Sequence, residues 1–234
     1  MMRQLVFLFS FIFLLPITSQ AQKQREIIPV NWNEVRKVAD KDPQQIKNLV
    51  AKLSSKETDN TMTLNERILA YYGQTFLTPN TEINEGIDLD KLLNEKKYEE
   101  CLAGAKELLK KNPVSLKALS NATFAITLML RDSTKHYNVT REEGRLYFSR
   151  MDRIFDIIAA TGDGTEKHPF YVTAVSDEYL FLRYYLNIWQ IGKQYIAGSC
   201  DVLELKETSE YYKNPQIYYE ITRVLEMEKD LFKQ

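Results

Sequence analysis

Hydrophobic residues recur at helical spacing through roughly the first two thirds of this chain. In its last third they alternate instead. Ile46, Leu49, Val50 and Leu53 form the first clear stripe. It follows Asp42-Pro43-Gln44-Gln45, which reads as a helix start with Asp42 as N-cap, Pro43 at the first position and Gln45 reaching back. A short helix is expected before it, over residues 32–39. Residues 54–60 are a polar linker. Thr63 and Glu66 then make a capping box for a helix carrying Ile68, Leu69, Tyr72 and Phe76. Residues 79–86 are expected to be a loop.

The next stripe resembles a tetratricopeptide repeat. Tyr98, Cys101, Ala105, Leu108 and Pro113 have the spacing of that repeat's second helix, with Cys101 in place of the usual alanine. Residues 114–130 read as the first helix of a following pair. No second full copy of the period follows, so the segment is one degenerate repeat inside a helical layer rather than an array. Thr140 and Glu143 form a third predicted box. Tyr147, Met151, Ile154 and Ile158 follow on one face, with Phe148 and Phe155 beside them, and the helix is expected to stop at Thr161-Gly162.

Beyond Gly162 the texture changes. Residues 170–175 are β-rich. Ser176 is expected to cap a short helix whose first turn, Asp177-Glu178, suits the helix dipole. Residues 200–205 alternate and read as a strand, as do residues 216–224 after a turn near Asn214-Pro215. The expected fold class is α+β. A mostly helical N-terminal part with the repeat-like hairpin spans residues 22–161. A small antiparallel β/α unit spans residues 162–234, packed on the helical part as one domain.

The first 21 residues change the picture. A short basic start with Arg3, an apolar run from Leu5 to Ile17 and Ser19-Gln20-Ala21 read as a secretory signal peptide cleaved after Ala21. The run is about 13 residues, too short for the roughly 20 that a span needs. No second long apolar segment follows, so no membrane span is expected after cleavage, and the protein is expected to be periplasmic or extracellular. Of 234 residues with 31 basic and 32 acidic groups, cleavage removes 21 and one Arg, leaving 213 with a net charge of −2. That balance, with no basic stripe, argues against nucleic acid. Two cysteines, Cys101 and Cys200, permit one disulfide in an oxidising compartment, but Cys101 sits where the helical pattern wants a small buried residue, which favours two thiols.

Three patches carry a family resemblance: Leu69-Ala70-Tyr71-Tyr72-Gly73, Thr161-Gly162-Asp163-Gly164, and Phe170-Tyr171-Val172 running into Val175-Ser176-Asp177-Glu178-Tyr179. In this order they resemble a family of secreted Bacteroidetes proteins known only as a domain of unknown function, over about residues 39–224. The leader resembles signal peptides of the same group. The resemblance implies places rather than roles.

Candidate chemistry is sparse. Gly162-Asp163-Gly164-Thr165 lacks the third glycine and the preceding strand of a dinucleotide loop. A calcium loop would need more spaced oxygens than Asp163, Thr165, Glu166 and the nearby Asp177 or Glu178 supply. A helix C-cap and turn is the simpler reading. His136 and His168 are the only histidines and stand in no zinc motif, so no metal or other cofactor is expected. A hydrolase-type site around Asp163, His168 and Cys200 remains an alternative. The favoured function is non-enzymatic binding or scaffolding, with a protein or a glycan as partner. The site is placed at the junction of the two parts, on Asp163, His168, Tyr171, Ser176, Asp177, Glu178 and Tyr179, because loops held by rigid elements concentrate function. A second aromatic-rich stretch offers rings at Tyr184, Tyr185, Trp189, Tyr195, Tyr211, Tyr212, Tyr218 and Tyr219 for a glycan- or peptide-binding face.

Overall fold

A computed structural model describes residues 26–79 and 86–232. The predicted leader and most of the loop predicted over 79–86 lie outside the described residues. The described residues form nine helices and one four-stranded sheet, an α+β architecture with the sheet near the C-terminus.

Seven helices come first: α1 Trp32–Lys41, α2 Pro43–Leu53, α3 Leu64–Leu77, α4 Leu89–Asn94, α5 Tyr98–Lys111, α6 Leu116–Arg131 and α7 Arg141–Thr161. Their starts follow the capping signals. Asp42 accepts the Gln45 N–H at 3.0 Å, with Pro43 in the first turn. Gln45 contributes only that backbone donor; the expected side-chain return is not made. The Thr63–Glu66 box closes in both directions, at 2.7 and 3.2 Å. At α7 only half of the box forms. Thr140 accepts from the Glu143 N–H, while the Glu143 carboxylate is drawn 2.7 Å from Lys106 on α5. The apolar stripes pack α2 on α3, α5 on α6 and α6 on α7. Cys101, Ala105 and Leu108 are buried in the second of these seams. Both cysteines are free thiols.

The C-terminal part comprises β1 Phe170–Tyr171, α8 Val175–Tyr184, β2 Ile191–Ala197, β3 Cys200–Leu205, β4 Gln216–Glu220 and α9 Thr222–Leu231. Sheet order is β1-β4-β3-β2, antiparallel except for β1, which runs parallel to β4. Several expectations need correction here. The β-rich run stops after two residues because Asp177 turns the chain into α8: its carboxylate accepts the N–H and hydroxyl of Thr173 at 3.1 and 2.7 Å. Ser176 therefore does not cap. It lies inside the first turn, and its buried hydroxyl has no partner. The alternation over 216–224 ends at Glu220, beyond which Arg223, Val224 and Met227 are the buried face of α9. Strand β2 was not legible, since its residues are mostly exposed and carry no alternating apolar face.

Buried polar groups tie the helices to the sheet unit. On α3, the Tyr71 hydroxyl donates to Asp177 Oδ2 at 2.9 Å, and the Tyr72 hydroxyl donates to the Tyr171 carbonyl at 2.9 Å. The Trp32 indole donates to Glu220 at the end of β4 at 2.9 Å. Arg223 of α9 reaches the Thr75 carbonyl at 2.8 Å, and its guanidinium lies 4.1 Å over the Phe76 ring. Removing a buried donor strands its acceptor and costs about 1–3 kcal/mol. Tyr71→Phe is therefore expected to lower the urea-unfolding free energy by about 1–3 kcal/mol with the far-ultraviolet circular dichroism unchanged. An unaltered urea midpoint would show that the bond contributes nothing.

Candidate functional site

The loop between α7 and β1 is shaped by two glycines. A Cβ on Gly162 would lie 2.1 Å from the Pro169 carbonyl oxygen, so only glycine permits this closure. Gly162 is the C-cap of α7, as expected, and is extended rather than left-handed, so its need for glycine is steric. Gly164 does take the left-handed region, at φ +77°. The Asp163 and Gly164 N–H groups both donate to the His168 carbonyl, at 2.9 and 3.0 Å. Asp163 Oδ1 accepts the Thr165 N–H at 3.0 Å, and the His168 Nδ1 stands 3.6 Å from Asp163 Oδ2. From the sheet side, the Tyr218 N–H donates to the Gly164 carbonyl at 3.0 Å. The Tyr212 hydroxyl lies 2.8 Å from the same oxygen and 2.7 Å from the Gln216 carbonyl.

This loop forms one wall of a cleft of about 720 Å³. Apolar groups supply its lining at Ile27, Ala159, Phe170 and Leu186. Tyr184 and Tyr185 enter from the C-terminal end of α8, and Tyr211 and Tyr212 from the segment between β3 and β4. Asp163 is the cleft's carboxylate. The rings differ in freedom. Tyr185 is stacked on Phe181 at 4.8 Å and 16°. Burial fixes Tyr212 and pushes its hydroxyl up to about 12. Tyr184 is 42% exposed, with Trp189 edge-on to it at 5.5 Å, and Tyr211 is 63% exposed. A concave site with aromatic walls and one anionic acceptor suits a ligand that offers ring faces and hydroxyl donors.

Of the residues predicted to form a site, only Asp163 lines this cleft, with His168 beside it. Tyr171 is turned toward the helical layer, its ring 6.2 Å from that of Trp32. Ser176, Asp177 and Glu178 are not convergent groups on a surface. Asp177 and Glu178 are 1% and 0% exposed, because the first turn of α8 faces the core rather than solvent. Tyr179 points to β2, where its hydroxyl bonds Gln194. Cys200 and His168 share no hydrogen bond among the described residues. The Cys200 thiol is pushed up by burial and by Glu220, not lowered by an imidazole. No group of three or more His, Cys, Asp or Glu among the described residues could hold a metal ion. Sequence reasoning named the tyrosines but could not show that two separate segments bring them to Asp163.

Between α8 and β3 lies a second polar arrangement that the sequence did not disclose. Glu178 of α8 meets Asp201 of β3. Gln194 donates to Asp201 Oδ2 at 2.6 Å. Neither Glu178 carboxyl oxygen has a donor, and neither has Asp201 Oδ1. Two ionised carboxylates cannot satisfy each other; a proton on Glu178, donated to Asp201, serves one oxygen of each. Burial above all, then the negative charges of Asp201 and Asp177, pushes the Glu178 carboxyl up to about 9. Asp177 is also raised by burial, against the donors Thr173 and Tyr71.

A family described as "Domain of unknown function (DUF4919)" matches residues 36–230. No curated protein and no solved structure matches the chain.

A carboxyl raised from 4.5 to about 9 holds a proton in the folded state that the unfolded chain has lost. Its stabilising effect is complete below pH 4.5 and fades as pH rises toward 9. Thermal melts between pH 5 and 9 should therefore show a falling midpoint. Glu178→Gln, a neutral isostere that can donate to Asp201, should flatten that slope and exceed the wild type at pH 9. A slope unchanged by the substitution would place Glu178 in the ionised state.

Proposed function

Because the chain belongs to the DUF4919 family, whose description assigns no activity, we propose its function from geometry: it is an exported, non-enzymatic binding protein whose aromatic cleft takes a saccharide. The supporting observation is the cleft itself, where the partly exposed rings of Tyr184 and Tyr211 line a wall with the Asp163 carboxylate. Sugar rings present C–H faces to aromatic rings and hydroxyls to an anionic acceptor. His168 stands beside Asp163 in the loop; Tyr171, Ser176, Asp177, Glu178 and Tyr179 do not line the cleft.

Export rests on the leader, with the mature chain beginning at Gln22. No described helix is long and apolar enough to cross a membrane. The repeat-like pair α5 and α6 gives a scaffold reading to the helical half: a layer that holds the sheet unit and leaves an outer face free. The hydrolase alternative required Asp163, His168 and Cys200 to work together, and the absence of a His168–Cys200 hydrogen bond gives it no support.

The test is a glycan array probed with protein recovered from the exported fraction, whose N-terminus is read by mass spectrometry as Gln22. Tyr211→Ala is expected to weaken any retained saccharide by about tenfold or more, since exposed aromatic anchors dominate such contacts. The substitution should leave the melting midpoint unchanged, because Tyr211 packs little. Asp163→Asn should weaken binding less, as it keeps an acceptor. Binding indifferent to both substitutions would move the site away from the cleft.

A further inference from the structure

A separate groove runs along the outer side of the α6–α7 seam, with a volume of about 380 Å³. Its residues follow helical spacing on both helices. Thr123, Ile126, Thr127 and Leu130 line it from α6, and Arg141, Gly144, Arg145 and Phe148 from α7. Each set follows an i, i+3, i+4, i+7 pattern, which defines a face running along its helix. Two parallel faces of this kind, with a shallow trough between them, are the receiving surface for a third helix.

Leu130 and Phe148 are 44% and 53% exposed, large apolar side chains left without a covering element. Gly144 contributes no side chain, so the α7 wall is low there; a Cβ would approach Ile126 to 3.1 Å. Three arginines, Arg131, Arg141 and Arg145, line the groove, and no acidic residue does. None of the three forms a salt bridge among the described residues, whereas Lys106 pairs with Glu143 and Lys135 with Glu99. Arg141 is the first residue of α7, where the helix dipole disfavours a cation. An apolar trough with three unpaired cations and no anion is complementary to an apolar ridge flanked by carboxylates.

We propose that this groove is a docking site for an amphipathic helix of a partner protein, with apolar residues at i, i+3, i+4 and i+7 and Asp or Glu on its flanks. A long-chain carboxylate shares the charge pattern, but the trough is open along its length rather than closed around a single alkyl chain. The site is distinct from the saccharide cleft and does not depend on it.

The test uses two synthetic 18-residue helical peptides with the same leucine ridge, one flanked by Glu and one by Lys. Fluorescence anisotropy with the full mature protein should show the Glu peptide binding about tenfold or more tighter than the Lys peptide, with affinity falling as salt rises. The double variant Arg141→Glu, Arg145→Glu should reverse that preference. Phe148→Ser should weaken the Glu peptide by about tenfold. All these side chains are exposed, so circular dichroism and melting should match the wild type. Equal binding of the two peptides, or indifference to both variants, would overturn the proposal. So would no binding of the Glu peptide at millimolar concentration, including the case where laurate binds in its place.

Discussion

Two adjacent tyrosine hydroxyls on α3 set the relation on which the rest of the structure depends. Tyr71 and Tyr72 are buried, and each must place a polar tip where water cannot reach. Tyr72 finds the carbonyl of Tyr171 on β1, and Tyr71 finds the Asp177 carboxylate at the start of α8. Asp177 in turn accepts from both the N–H and the hydroxyl of Thr173. That set of bonds fixes where β1 ends and where α8 begins. The far end of α8 carries Tyr184 and Tyr185 into the cleft, so the aromatic wall is positioned from a turn of a helix far away in sequence.

The same element carries the least expected group. Glu178 follows Asp177 by one residue and faces Asp201 in the interior. A neutral, hydrogen-bonded Glu178 lets α8 pack on β3 without an uncompensated charge. The Tyr179–Gln194–Asp201 chain extends this contact to the surface of β2. Burial that would be prohibitive for two carboxylates becomes tolerable for a carboxyl and its conjugate partner. The packing of α8 on β3 thus rests on polar contacts that also make it sensitive to alkaline pH.

Much of the helical layer was legible because local chemistry decides it. Asp42 and Pro43, the Thr63–Glu66 box, and the stripes on α5 and α7 each specify an element through neighbours within four residues. The loop after α7 was legible as a helix C-cap and turn from its two glycines, though the close approach of Pro169 to Gly162 was not. What failed depended on distant partners. Ser176 looked like a cap because Ser is a good one, but α8 has no side-chain cap, and the Asp177 carboxylate, held by Tyr71, reaches back to Thr173 instead. Asp177 and Glu178 looked exposed because acidic residues usually are. Their burial is decided by α3 and β3, which lie 106 residues before Asp177 and 23 residues after Glu178. The cleft was half legible: Asp163 and the tyrosines were each singled out, while their meeting is a property of the fold. Nothing in the local pattern of α6 and α7 marked the arginine-lined groove, since each helix alone reads as an ordinary amphipathic segment.

The proposed binding function stands or falls on the cleft between Asp163 and the four tyrosines. Its most direct test is a backbone amide NMR titration of the mature protein with a saccharide retained on the array. Shifts are expected to cluster at residues 162–164, 184–186 and 211–212, with the amides of residues 123–148 unmoved. Saturable shifts confined to other segments, with those three unchanged, would contradict it.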